Sequence, residues 1–119
     1  MIIGIGTDII EISRVKKACD SKAFLLRYYT DAEIGLIGGN MARAAKNFAA
    51  KEAVSKCLGT GFSGFSPRDV EVLRDEKGRP FVNLYGEALR LSSSLGIKKI
   101  HVSLSDTDSI AVAFAVAES

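Results

Sequence analysis

Apolar positions alternate with small or polar ones from the first residues of the chain. In MIIGIGTDII, Ile3, Ile5, Thr7 and Ile9 share one face of a strand, and Ile2, Gly4, Gly6 and Asp8 share the other. The period then lengthens. Ile12, Val15 and Ala18/Cys19 in EISRVKKACD recur at helical spacing, and KAFLLRYY predicts another short helix. TDAE offers a capping box, with Thr30 as cap and Glu33 reaching back, before GLIGG breaks the segment. The longest helical pattern follows, over 40–58, with Asn40 as N-cap and Gly59 just past its end. GTGFSGFSP reads as a glycine-rich loop and SPRD as a turn. VEVLRDEKGRPFVNLY predicts a hairpin turning at DEKGR. GEALRLSSSLG suits a helix closed by Gly96, and KIHVSLSD with SIAVAFAVAE reads as a last antiparallel pair around DTDS. The predicted order is β-α-α-α-β-β-α-β-β, an α+β fold with an antiparallel sheet packed against the long helix.

Composition narrows the class. A chain of 119 residues suits one domain over 1–119 and can bury roughly two thirds of its unfolded surface. With 47% hydrophobic and 25% charged residues it is globular rather than disordered. The apolar start is too short to span a bilayer and carries Asp8 and Glu11. It also lacks a basic leader region and a small-residue cleavage site, so a cytoplasmic protein without membrane attachment is expected. Cys19 and Cys57 have no C-x-x-C spacing and fall in predicted helices, which suits buried thiols in a reducing compartment. With His101 the single histidine, a Cys/His zinc site has too few ligands. A net charge of +2, from 16 Lys and Arg against 14 Asp and Glu, falls short of a nucleic-acid footprint. It leaves room for an anionic ligand or an acidic partner.

Two faces bear on chemistry. On the last strand Ile110, Val112, Phe114 and Val116 point one way, and Ala111, Ala113, Ala115 and Ala117 the other. That small apolar face invites either a helix or a second subunit. On the long helix Ala45, Ala49 and Ala53 form a stripe, with Phe48, Glu52 and Lys56 beside it. If the stripe lies on the strip bared by Gly4 and Gly6, Glu52 meets Asp8. Two such carboxylates repel unless one is protonated or a cation lies between them, and oxygen ligands of this kind suit Mg²⁺. Plainer readings stay open. Glu52 and Lys56 also make an ordinary i,i+4 surface pair, and Asp8 in DIIE could cap a helix. GTGFSG lacks the lysine and hydroxyl of a phosphate-binding loop, and His101 alone suits a packed or surface position.

GIGTDIIEISRV, FAAKEAVSKCLGTGF and HVSLSDT, in that order along nearly the whole chain, resemble the three signatures of the holo-acyl-carrier-protein synthases. That family is the short, single-domain class of bacterial 4′-phosphopantetheinyl transferases. The resemblance implies Mg²⁺-dependent transfer of 4′-phosphopantetheine from coenzyme A to a serine of acyl carrier protein, releasing adenosine 3′,5′-bisphosphate, in support of fatty acid biosynthesis. It implies Asp8 and Glu52 as metal ligands and Lys56 as the contact to the phosphate under attack. It further implies the loop Gly59, Thr60 and Gly61 as the hold on coenzyme A, and Arg14 as a docking residue for the acidic carrier. Family members are trimers with active sites between subunits, which would suit the alanine face of the last strand.

Two positions depart from the family pattern. The third signature commonly reads S-H-T and here reads SDT, so Asp106 stands at the histidine's place. Asp106 is expected in the catalytic set, ordering the water around magnesium while Glu52 or a water takes the serine proton. The residue before FAAKE is often arginine and here is Asn47, with Lys46 adjacent. A rival reading, favoured by Asp106 alone, is a non-catalytic α+β ligand-binding or assembly module.

Overall fold

The computed structural model describes residues 1–119 in the order β1 (Ile2–Glu11), α1 (Ile12–Ala18), α2 (Lys22–Tyr28), α3 (Asp31–Ile37), α4 (Met41–Cys57), β2 (Val70–Arg74), β3 (Pro80–Leu84), α5 (Gly86–Ser94), β4 (Lys99–Asp106) and β5 (Ile110–Glu118). The α+β class is as predicted. Four helices rather than three precede the hairpin, because the Thr30–Glu33 capping box opens a full helix of seven residues. SPRD forms a short 3₁₀ turn over Pro67–Asp69, capped by Ser66. β1 runs on to Glu11, and Glu11 occupies the N-cap of α1 with no side-chain hydrogen bond. Asp8 is therefore a strand residue and caps no helix.

β1, β5 and β4 form one antiparallel sheet in that order, and β2 and β3 form a separate hairpin. The register sets Gly4 opposite Ala117, Gly6 opposite Ala115 and Asp8 opposite Ala113. α4 lies across this face, and its closeness explains the glycines. A Cβ on Gly4 would sit 2.2 Å from the Cys57 carbonyl oxygen, and one on Gly6 would sit 1.9 Å from that of Ala53. No side chain fits at either position without moving the helix. Ala49 and Ala53 of α4 meet Ala113, Ala115 and Ala117 in one core cluster, small against small. α4 ends at Leu58 with Gly59 in the left-handed conformation, as the sequence predicts.

This corrects one expectation. The alanine face of β5 serves no second subunit: Ala111, Ala113, Ala115 and Ala117 are wholly buried inside the chain. The open face of the sheet is the other one, where Ile5, Ile9 and Phe114 remain 61%, 65% and 46% exposed.

α4 is fixed on its far side by polar contacts. Lys51, wholly buried, donates to Glu33 Oε1 at 2.6 Å, to the Pro67 carbonyl at 3.0 Å and to the Val70 carbonyl. Glu33 also accepts from the Thr30 and Val72 backbone N–H groups and from the Asn47 amide. The pair ties α3, α4 and the entry to β2 together. No buried side-chain polar atom lacks a partner. Both cysteines are free, and no helix is long and apolar enough to cross a membrane.

Candidate active site

Three of the sequence-predicted side chains converge where the C-terminal half of α4 crosses β1. Helical spacing puts Glu52 and Lys56 on the flank of α4 nearest β1, and strand alternation puts Asp8 on the face that α4 covers. Lys56 Nζ donates to the Thr7 carbonyl at 2.7 Å and to Asp8 Oδ1 at 3.4 Å. Lys56 thus reaches across to another element and is more than an i,i+4 partner for Glu52. The Asp8 side chain is 19% exposed and that of Lys56 51%. Burial raises the Glu52 carboxyl above the usual range, and the charge of Asp8 raises it further against the pull of Lys56. Two carboxylates close enough to repel are held beside an exposed ammonium.

The chemistry of this donor set fits a hard divalent cation bound by two carboxylates, with phosphate oxygens and water filling its other positions. The chain assembles no group of three or more Asp, Glu, His or Cys side chains, so a closed protein cage is not on offer. The loop after α4 begins at the same end: Gly59 and Gly61 take positive φ, and the Thr60 hydroxyl bonds the Gly61 carbonyl.

A feature missed in the sequence adjoins this cluster. Ile10, Arg14, Phe24, Arg27, Tyr28 and Phe48 line a hollow of about 190 Å³. Phe24 and Tyr28 stack at 4.5 Å between ring centroids, and Tyr28 and Phe48 at 5.2 Å. The Tyr28 hydroxyl is pushed up by burial and then by the charge of Glu52, which sets the hollow beside the carboxylates. Phe24 and Tyr28 at i,i+4 were the available signal. Arg14 stands exposed on the rim, on α1.

Within one chain Asp106 does not join this cluster. Asp106 of β4 pairs with Ala111 of β5, while Asp8 of β1 pairs with Ala113 of β5, so β5 separates them. Two strand spacings alone amount to about 10 Å. Asp106 instead meets Lys46 Nζ at 3.4 Å. Asn47 is wholly buried in the Glu33 network and faces no ligand surface. His101 bonds Glu118 at 2.7 Å on the open sheet face.

Comparison with known proteins gives one answer. Residues 4–115 match the model of the 4′-phosphopantetheinyl transferase superfamily. The chain is 49% identical to the holo-[acyl-carrier-protein] synthase of Lachnoclostridium phytofermentans, over 99% of this chain and 97% of that protein. The structure of the Neisseria meningitidis synthase superposes with a TM-score of 0.89 at 36% identity, over the full length of both chains. That of the Helicobacter pylori synthase in complex with coenzyme A does so at 0.85 and 30% identity, over 96% of this chain and 99% of that one. With sequence, fold and length in agreement, the chain belongs to the 4′-phosphopantetheinyl transferase superfamily, among its holo-[acyl-carrier-protein] synthases.

Proposed function

We propose that this enzyme transfers 4′-phosphopantetheine from coenzyme A to a serine hydroxyl of acyl carrier protein, with Asp8, Glu52 and Lys56 as its reacting centre. The observation that carries the reading is Lys56 reaching Asp8 Oδ1 beside a Glu52 whose carboxyl is raised. The serine oxygen attacks the β-phosphorus of the pyrophosphate, and the bond to adenosine 3′,5′-bisphosphate breaks. Lys56 offers positive charge to the phosphoryl oxygens, and Glu52, its carboxyl raised by burial and by Asp8, takes the serine proton. Mg²⁺, held by Asp8 and Glu52, would supply further neutralisation of the pyrophosphate. Gly59, Thr60 and Gly61 line the approach for coenzyme A, where bare backbone lets a phosphate come close.

Copies of the chain meet through the open sheet face, as a trimer with active sites between subunits. An exposed apolar face of Ile5, Ile9 and Phe114 supports this, since monomers rarely leave such a patch in water. The enzyme works in the cytoplasm and supports fatty acid synthesis. The test is incubation with coenzyme A, Mg²⁺ and an apo carrier, followed by mass spectrometry of the carrier. A gain of one phosphopantetheine group that disappears on chelation is expected. No gain with several carriers would leave only a binding module.

Arg14 docks the carrier. With Arg27 it flanks the aromatic hollow, a pairing of positive rim and apolar floor suited to an acidic amphipathic helix. Arg14→Glu should raise KM for the carrier by roughly tenfold, ~1.4 kcal/mol, at low salt, and by less as salt screens the contact. KM for coenzyme A should stay within about twofold, inside ~0.5 kcal/mol. An equal rise for both substrates would move Arg14 into the nucleotide site.

Asp106 acts through its pairing with Lys46 and takes no proton. Both side chains are part-exposed, so Asp106→Ala should lower kcat/KM by no more than about fivefold, the ~1 kcal/mol limit of a surface pair. Asp106→His should retain turnover. Collapse of the alanine variant to background at saturating Mg²⁺ would make Asp106 the base.

A further inference from the structure

The chain holds three tyrosines, and two of them use their hydroxyls internally. Tyr29 donates to the Ala44 carbonyl at 2.9 Å, and Tyr85 donates to Glu71 Oε1 at 3.0 Å. The Tyr28 hydroxyl bonds no group of the chain, although its ring, at the end of α2, is held on two sides. The ring stacks on Phe24 at 4.5 Å and 21°, and on Phe48 at 5.2 Å and 18°. The Arg27 guanidinium lies 5.9 Å from its centroid. A ring clamped between α2 and α4 carries its oxygen in a fixed direction. Phe48 and Glu52 are i,i+4 neighbours on α4, roughly 5–6 Å apart at Cβ, so Tyr28 stands about one helical turn from the carboxylate. Burial first, and the charge of Glu52 second, keep the proton on the Tyr28 hydroxyl, which agrees with that closeness. No buried polar side-chain atom lacks a partner, so this unbonded hydroxyl belongs to the open wall of the hollow. Phenylalanine would stack equally well there, so packing alone does not account for the oxygen.

We propose that the Tyr28 hydroxyl donates a hydrogen bond to the carrier backbone beside the acceptor serine and so sets that serine on Glu52. The inference rests on the function proposed above and adds a positioning residue to it. There the carrier docks over the aromatic hollow, and its serine gives a proton to Glu52. The Tyr28 hydroxyl lies between those two places. Proton transfer needs the serine oxygen within about 3 Å of the carboxylate. Contacts to Arg14, Arg27 and the rings fix where the carrier lies but leave the serine segment free to turn. One directional bond next to the serine removes that freedom, and a small misplacement at this point costs rate rather than affinity. The acceptor is a main-chain carbonyl, which is present whatever side chains flank the serine.

The test follows single turnovers of the intact enzyme with coenzyme A and saturating apo carrier, alongside steady-state KM values and thermal melts. Tyr28→Phe keeps the stack and removes only the oxygen. It should lower the single-turnover rate by roughly three- to tenfold, the scale of one lost hydrogen bond. KM for the carrier and for coenzyme A should each stay within about twofold, and the melting temperature should not move. Tyr28→Leu removes the ring as well and should add a rise of roughly tenfold in carrier KM, with coenzyme A unaffected. The split separates oxygen from ring, because a merely structural role would move the melt and the carrier KM together. A Tyr28→Phe variant with the wild-type single-turnover rate, or with its whole loss in carrier KM, would overturn the assignment. So would an equal loss of coenzyme A affinity, which would place the hydroxyl in the donor site. Those outcomes require an active wild type; a wild type that modifies no carrier would sink the transferase reading, and this inference with it.

Discussion

Glu52→Gln lowers kcat/KM by roughly 10²–10⁴-fold, the range of a lost general base, while the protein melts no earlier than the wild type in metal-free buffer. The two halves of this result come from one cause. The Glu52 carboxyl is raised above its usual range by burial and by Asp8. A folded state with a raised carboxyl holds its proton more tightly than the unfolded chain does. That contribution to stability is full at low pH and is lost as pH climbs through the raised value. Above it, ionised Glu52 faces Asp8 with Lys56 as the one nearby relief. Glutamine keeps the shape and removes the repulsion. Thermal melts at pH 8 should therefore show the variant equal or slightly more stable. Adding Mg²⁺ should raise the melting temperature of the wild type but not that of the variant, because binding to the folded state stabilises it. Near-normal turnover at low Mg²⁺, or equal Mg²⁺ shifts for both proteins, would remove Glu52 from the metal pair.

What made this centre legible was the bareness of the strand. Gly4 and Gly6 next to Asp8 said that something comes close, and the alanine stripe of 45, 49 and 53 said what. The helix does lie there, at distances that exclude even a methyl group. The strands, the hairpin and most caps followed from period and punctuation, because each is decided within a few residues. The fourth helix ahead of the hairpin is announced by the Thr30–Glu33 capping box, but it lasts only seven residues before the left-handed Gly38 ends it.

Less was legible wherever the answer lay in three dimensions. A face of alanines at period two is equally suited to a helix of the same chain or to a neighbour, and only the path of α4 decides. Asp106 sits within a signature, yet register across β5 carries it to the far edge of the sheet. Asn47 and Lys51 are polar letters in a helical segment and would ordinarily face solvent. They turn inward because partners from α3, the 3₁₀ turn and β2 meet them there. No periodicity announces a buried polar network, since its members are far apart in the chain.

That network carries the largest stability effect expected here. Lys51→Met should destabilise the fold by ~3–5 kcal/mol, the cost of leaving one half of a buried ion pair. In a chain of this size that is a large share of the ~5–15 kcal/mol available, and it lowers the melting temperature by roughly 10–20 °C. The damage is not the lost attraction alone. Lys51 is wholly buried and serves Glu33, the Pro67 carbonyl and the Val70 carbonyl at once, so methionine strands a carboxylate and two carbonyls together. Adding Glu33→Gln should recover part of the loss. Its neutral amide no longer brings an unpaired charge into the core, while its single oxygen replaces only one of the two carboxylate oxygens and keeps either the Thr30 or the Val72 N–H. The consequence reaches the active site because Lys51 precedes Glu52 on the same turn of α4. Lys51 faces α3 and the hairpin while Glu52 faces β1, so releasing one lets the helix rotate and moves the other. The double variant should then fold but bind Mg²⁺ less tightly than the wild type. A methionine variant that melts within a few degrees of the wild type would show the pair to be dispensable, and with it the idea that the interior sets the angle of Glu52.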